Sequence, residues 1–183
     1  MALSDFFKKK KEEEFDPIKD LVLSKLRKGY LVEYDLKTWE ITGYYHNDFG
    51  DGYMTEEWEL TSGREKIYLE RSEDDDIKWT LSKKIPIGSI SGNIRQYIIE
   101  NDEPTSEIIY NGKSYYLDES GSGYMTEDGD EDSTEFIYWD FIDKKNENFI
   151  TIEQWDETKF ETAEGFYVEE YQFSNILPGK STE

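Results

Sequence analysis

The 183-residue chain contains no cysteine. That excludes disulfides, cysteine-ligated zinc, iron–sulfur clusters and a cysteine nucleophile together. It has one histidine, His46. A Ser-His-Asp triad would have to run through that residue, and a zinc site would have to be built from carboxylates, which is uncommon. There is no G-x-x-x-x-G-K-S/T loop and no G-x-G-x-x-G after a strand, so nothing marks a nucleotide phosphate site and no cofactor is expected. No apolar run reaches the roughly 18 residues of a membrane-spanning helix. The stretch from Met1 to Phe7 runs straight into Lys8–Lys11 and Glu12–Glu14. It leaves no room for the roughly 7–15 apolar residues of a secretory signal, so the expected location is the cytoplasm.

Positive charge is scarce too. Lys and Arg number 21 against 43 Asp and Glu, a net charge of −22. Binding a phosphate backbone depends on cationic side chains that release counterions, so nucleic acid is excluded as a partner. The imbalance is uneven: residues 1–29 hold 8 basic and 6 acidic residues, the remainder 13 and 37. The acidity belongs to the body of the protein.

What the chain has in abundance is rings: 10 Phe, 14 Tyr and 5 Trp. Disordered acidic chains lack aromatics, and each buried ring removes about 150–250 Å² from water. One folded domain is therefore expected. Residues 1–15 read as a flexible leader. Phe6, Phe7 and the lysines could give it a weak membrane contact, but two rings bury too little to hold a protein on a bilayer. Residues 16–29 read as an N-terminal helix, with Asp16 as N-cap, Pro17 in the first turn, an apolar stripe of Ile18, Leu21, Val22 and Leu26, cations in the last turn, and Gly29 as the stop.

After Gly29 the texture is β, in short runs of aromatic and β-branched residues. Strands are predicted at 30–34, 38–41, 54–61, 66–70, 77–81, 107–110, 114–117, 135–142, 149–154, 159–163 and 166–173. Residues 89–104 form a connector with a helical pattern at Ile94, Tyr97 and Ile98, capped by Ser91. The fold class is mainly β: an antiparallel barrel or sandwich-like body of two pseudo-repeats, 30–88 and 105–178, with a short N-terminal helix.

Duplication is argued from several matches. Gly52-Tyr53-Met54-Thr55-Glu56 recurs as Gly123-Tyr124-Met125-Thr126-Glu127. Tyr34–Ile41 aligns without gaps to Tyr110–Leu117, with Asp35-Leu36 facing the hairpin signal Asn111-Gly112. Trp58-Glu59-Leu60 answers Trp139-Asp140-Phe141. Ile67-Tyr68-Leu69-Glu70 answers Ile150-Thr151-Ile152-Glu153, and Lys78-Trp79 answers Lys159-Phe160. The expected core is a shared interior where Trp39/Tyr115, Trp58/Trp139 and Trp79/Phe160 meet, since a half of about 60 residues is marginal alone.

The series Tyr34-x4-Trp39-x-Ile41-x-Gly43-Tyr44, then Trp58-x-Leu60, then Ile67-Tyr68-Leu69-Glu70 resembles the bacterial DUF4178 domain family over roughly residues 28–178. The resemblance implies a repeated hairpin-and-strand fold and a bacterial cytosolic setting. The family is one of unknown function, so it implies no catalytic residue. The second copy departs from the first at an acidic insert, Asp128–Ser133.

Candidate sites follow from residue chemistry. Asp128, Asp130 and Asp132 are weak metal candidates, since Ca²⁺ takes about six to eight oxygens. The run lacks EF-hand order, and acidic runs between strands are usually solvated loops. The pairs Glu56/Glu57 and Glu70/Glu153 would suit acid–base work, yet among 43 acids some pair must look matched. His46 lies beside rings and a glycine-bearing loop. Surplus tyrosines suggest a binding surface, with Tyr44, Tyr45, His46, Tyr53 and Tyr124 as candidates. The leading expectation is a non-catalytic acidic module that binds a basic protein surface or a cationic small molecule through Coulomb and cation–π attraction. The alternatives are a carboxylate-based enzyme or divalent-metal protein, marked by acids converging in a concave pocket, and a nucleic-acid-mimicking inhibitor.

Overall fold

The structure, a computed structural model, describes residues 21–179. The leader, with Phe6 and Phe7, and the start of the N-terminal helix at Asp16–Ile18 lie outside the described residues. The first repeat supplies β1 (Leu31–Tyr34), β2 (Lys37–Asp48), β3 (Met54–Ser62), β4 (Glu65–Glu73) and β5 (Ile77–Lys84). A helix, α1 (Ile94–Asn101), precedes the second repeat: β6 (Glu107–Tyr110), β7 (Lys113–Glu127), β8 (Thr134–Ile142), β9 (Asn148–Gln154) and β10 (Phe160–Val168). A last strand, β11 (Ser174–Leu177), returns to pair with β1. No helix among the described residues is long and apolar enough to cross a membrane.

The sheet closes. The order β2-β3-β4-β5-β10-β9-β8-β7 is antiparallel throughout, and β7 pairs back onto β2. The result is an eight-stranded barrel with two seams between the repeats. At one, Trp79–Lys84 faces Ala163–Val168; at the other, Tyr45–Asp48 faces Tyr124–Glu127. β2 and β7 serve twice. Their first halves pair with β1 and β6, outside the ring, and their second halves build its wall. Each strand shifts register at the same place, between Ile41 and Gly43 and between Leu117 and Glu119. A bulge bends a strand, and here it lets one strand leave the flap and join the barrel.

Both opening hairpins turn through two residues of positive φ: Asp35 and Leu36 at 49° and 60°, Asn111 and Gly112 at 51° and 76°. This is the mirror-image turn that suits strand twist. Cross-strand partners confirm the equivalence, with Trp39 opposite Val32 and Tyr115 opposite Ile108.

The recurring pentapeptide is not part of the symmetry. Gly52–Glu56 leads into β3, whereas Gly123–Glu127 ends β7, the counterpart of β2. Thr55 lines the barrel interior, while Thr126 pairs with His46. The true correspondence is carried by the hairpins and the tryptophans.

Trp58 and Trp139 are both buried, at 0% and 4% exposure, but they do not meet. Two apolar clusters form, one per repeat, on opposite outer faces of the barrel. The first holds Trp39, Trp58, Leu69 and Trp79 under β1, Phe173 and the N-terminal Leu23 and Leu26. The second holds Tyr115, Trp139, Phe141 and Ile152 under β6 and α1, with Phe160 against its edge. Each such side chain contributes about 1.5–3 kcal/mol of transfer free energy. The shared interior expected for these rings is instead polar, because the residues that alternate with them point inward.

The helix expected over residues 16–29 is, among the described residues, one 3-10 turn at Leu23–Lys25 that ends before Leu26 turns extended. Its packing residues are Leu23 and Leu26, while Leu21 and Val22 are only half-buried. Trp58 Nε1 donates to the Leu26 carbonyl at 3.0 Å, which holds the extended chain against the cluster. In α1 the residue before the helix is Asn93, not Ser91, and Ile94 and Ile98 are buried while Tyr97 stays exposed. The break predicted between 163 and 166 does not exist: β10 runs through Gly165, where a Cβ would stand 2.2 Å from Phe149 Cζ.

Candidate functional site

The inward faces enclose a cavity of about 170 Å³. Eight-stranded barrels are just wide enough to be filled by side chains or to hold one small ligand. Six carboxylates line it: Glu57 of β3, Glu70 of β4, Glu119 of β7, Asp140 of β8, Glu153 of β9 and Glu161 of β10. One basic side chain, Lys84 of β5, joins them. Rings from Phe49, Tyr53, Phe136 and Tyr138 complete the wall, with Phe49 edge-on to Tyr138 at 5.2 Å between centroids.

The carboxylates are held by neutral donors more than by cations. Thr55 Oγ1 donates to Glu70 at 3.1 Å, Thr151 Oγ1 to Asp140 at 2.5 Å, and the Tyr138 hydroxyl to Glu119 at 3.1 Å. Lys84 pairs with Glu161 and stands 5.1 Å from the Tyr68 ring centroid. Asn47, 3% exposed, donates from Nδ2 to Thr55 Oγ1 at 3.3 Å, and its Oδ1 accepts nothing.

Crowding of like charge in a low-dielectric wall favours protonation. Burial pushes Glu70 up to about 7, with the charge of Asp140 adding to it and the Thr55 and Asn47 hydrogen bonds opposing. Burial likewise brings Glu153 to about 7, reinforced by Glu161 and opposed by Lys84. Asp140 rises to about 6 through burial, partly offset by Thr151 and reinforced by Glu119. Burial and the neighbouring Glu70 and Glu153 hold Glu57 well above the usual carboxylate range. Glu57, Glu70, Asp140 and Glu153 are thus all biased toward their protonated forms, and their titrations are coupled.

Of the tyrosines and histidine singled out from the sequence, Tyr53 lines this cavity. Tyr45 pairs with Glu57 across the sheet and lays its hydroxyl over Gly43, so it belongs to the inner face. Tyr44 stacks on Trp58 at 5.2 Å, His46 packs edge-on against Tyr44 at 4.7 Å, and Tyr124 reaches Glu135 at 3.4 Å on the outer wall. His46 is in β2, not in a loop. Asp128, Asp130 and Asp132 are exposed between β7 and β8, and among the described residues no three acidic or histidine side chains come together to hold a metal ion. Glu56, paired with Glu57 in the sequence reading, faces outward to Arg71 at 3.3 Å, while Glu57 faces in.

Sequence reasoning missed Asn47, Lys84, Glu119, Asp140 and Glu161 as site residues. The signal lay in Glu57-Trp58-Glu59-Leu60, an alternation that places acids on one face and apolar side chains on the other. The matched Glu70 and Glu153 were the one pair pointing at the lumen.

The family model described as "Domain of unknown function (DUF4178)" matches residues 27–170. A protein of Aquifex aeolicus (strain VF5), named only as uncharacterized, is 26% identical over 176 residues, 96% of each chain. No solved structure matches.

Proposed function

Because the chain belongs to the DUF4178 family, whose description assigns no activity, the reading must come from the lumen, and we propose that the protein is a non-catalytic binding module for a cationic small molecule. One observation carries this: six carboxylates and a single ammonium face one cavity. Acids on the wall of a cavity repel each other, and a bound cation offsets that repulsion. A folded basic protein could reach only the outer acids, which makes a small ligand the better fit. The setting is the cytoplasm argued from the sequence. Calorimetric titration with organic and inorganic cations at about 0.05 M salt tests the reading, since low salt leaves the attraction least screened. Saturable one-site binding is expected. Absence of heat and of any thermal stabilisation with every cation overturns it.

A second reading has its own support. Acids converging in a concave, ring-lined pocket are what a carboxylate enzyme needs, and Glu70 and Glu153 titrate near neutrality, where acid–base catalysts work best. The same titrations separate the two. A binding module returns its ligand unchanged after hours by NMR, whereas an enzyme returns a product.

A further inference from the structure

The barrel's outer wall is covered in two places and bare in a third. One apolar cluster lies under β1, Phe173, Leu23 and Leu26, the other under β6 and α1. Where β2 meets β7, three apolar side chains are open to solvent: Met54, Tyr124 and Ile137 are 52%, 48% and 44% exposed. They point outward, because their chain neighbours Thr55, Met125 and Phe136 line the lumen. Register brings them together. Asp48 faces Met54 on one side and Tyr124 on the other, and Tyr124 faces Glu135, two residues from Ile137 on the same face. Single exposed apolar residues are ordinary, whereas adjacent ones mark an interaction surface.

The charge of this wall selects the occupant. Asp48 and Glu135 lie within the patch, and the β7–β8 loop that borders it carries Asp128, Asp130, Glu131 and Asp132, all exposed. None of these six pairs with a cation among the described residues. The nearest cations are engaged, Arg71 with Glu56 and Lys28 with Glu127. His46 stands in the next row, packed on Tyr44.

A short segment that carries both rings and cations fits such a wall. A second copy of the body does not, since two bodies of this charge repel each other. Phe6-Phe7-Lys8-Lys9-Lys10-Lys11 does: two rings, then four positive charges with no negative one among them. Glu12, Glu13 and Glu14 reverse the sign at once, so the match ends at Lys11. The segment can reach. The Leu26 carbonyl is bonded to Trp58, which lies along β3 from Met54 by about 14 Å. The chain from Lys11 to Leu21 spans up to about 33–36 Å.

We propose that residues 6–11 of the same chain dock on this wall, Phe6 and Phe7 on Met54, Tyr124 and Ile137, the lysines on Asp48, Glu135 and the β7–β8 loop. Docked there, the segment straps the first repeat to the second across their shared seam. The inference goes beyond the cationic-ligand reading and does not depend on what the lumen binds.

The test is paramagnetic broadening of amide signals in the full chain. Because the chain has no cysteine, Ser4→Cys offers a single attachment point for a nitroxide, close to Phe6. The oxidised label should erase most of the Tyr124 and Ile137 signals and leave those of Leu81 and Phe166, at the opposite seam, as they are with the reduced label. Lys8→Gln, Lys9→Gln, Lys10→Gln and Lys11→Gln together should lower the docked-to-free ratio about tenfold, the loss expected for several exposed ion pairs. Salt at about 0.5 M should act in the same direction. Ile137→Ser, an exposed change that leaves both apolar clusters intact, should lower the ratio about threefold. Equal broadening at both seams overturns the proposal, and so does broadening that survives the four glutamines. Broadening of unlabelled chains by labelled ones in a mixed sample, as strong as within one chain, makes a second copy's segment the occupant and overturns it. A label that broadens nothing in solution and is immobilised only by phosphatidylglycerol vesicles makes a membrane the occupant and overturns it too.

Discussion

The two repeats agree on their outer faces and disagree on their inner ones. Outward, Trp39, Trp58, Leu60, Ile67, Leu69 and Trp79 of the first repeat stand where the second has Tyr115, Trp139, Phe141, Ile150, Ile152 and Phe160, all apolar or aromatic. Inward, by the same register, Tyr45, Asn47, Glu57 and Lys84 stand where the second has Gly121, Gly123, Tyr138 and Gly165. Only Glu70/Glu153 and the acids Glu59/Asp140 keep their character. The outer positions answer to packing, which any half-barrel needs. The inner ones answer to a lumen that has only one set of occupants, so its two halves are complementary rather than alike. Where one half puts a ring inward the opposite position is small: Tyr138 lies over Gly121, and Phe149 over Gly165.

The comparison can be broken most sharply at the turn between the third and fourth strands of each repeat. In the first it is the two-residue connection from Ser62 to Glu65. In the second, Asp143 is 2% exposed and accepts from the Lys145 and Glu147 N–H groups, Asn148 Nδ2 and Lys113 Nζ. Burial would raise this carboxyl, but Lys113, Asn148 and the Glu147 N–H outweigh it and hold it well below the usual range. Asp143→Ala should cost about 3 kcal/mol in urea unfolding, because it removes a buried carboxylate and the four hydrogen bonds that it accepts, one of them from a cation. The shorter first-repeat turn has no such dependence, and Gly63→Asn there should cost less than about 1 kcal/mol.

The lumen gives the next effect. Glu70, Glu153 and Asp140 have folded values above those of the unfolded chain, so the native state binds more protons between about pH 4.5 and 7. Their favourable contribution is full below that window and is lost as pH rises through it. Stability of the ligand-free protein should therefore fall from pH 5 to 8 by about 2–3 kcal/mol for each glutamate and roughly 1 kcal/mol for Asp140, read as a falling thermal midpoint. Glu70→Gln should flatten the profile, and Glu153→Gln should do so by a similar amount, the two repeats being alike at this position.

A smaller effect tests whether the clusters are separate. Leu69→Val and Ile152→Val should each cost about 1 kcal/mol. In the double variant the costs should add within about 0.5 kcal/mol, since each residue packs in its own cluster. A shared interior would show coupling above that. Smallest is an exchange at the hairpins: Leu36→Gly should stabilise by roughly 0.5–1 kcal/mol, and Gly112→Leu should cost about as much, because only one turn places glycine at its second positive-φ position.

Much of this architecture was legible in the residues. Asn111-Gly112 announced a turn, its gapless alignment to Asp35-Leu36 matched two hairpins, and the tryptophans marked equivalent strands. Period-two alternation says which residues share a face; it does not say which face a closed barrel turns inward. Glu57-Trp58-Glu59-Leu60 was therefore read with the rings inside, and the acidic lumen went unseen. The pentapeptide misled because five residues fit a strand entrance and a strand end equally well. Gly165 looked like a break because the ring that covers it, Phe149, comes from a neighbouring strand. Leu21, Val22 and Leu26 promised a helix where, among the described residues, there is a single turn at Leu23–Lys25, since Trp58 holds the chain extended at Leu26 by a bond invisible from local sequence.

The junction of β2 with β7 joins Tyr45–Asp48 to Tyr124–Glu127 by four residue pairs, against six or more at every other junction of the ring. A closed cylinder fails first where it is stitched least, and these stitches sit beside Asn47. Amide protons of His46 and Thr126 should exchange with deuterium sooner than those of Leu81 and Phe166 at the opposite seam.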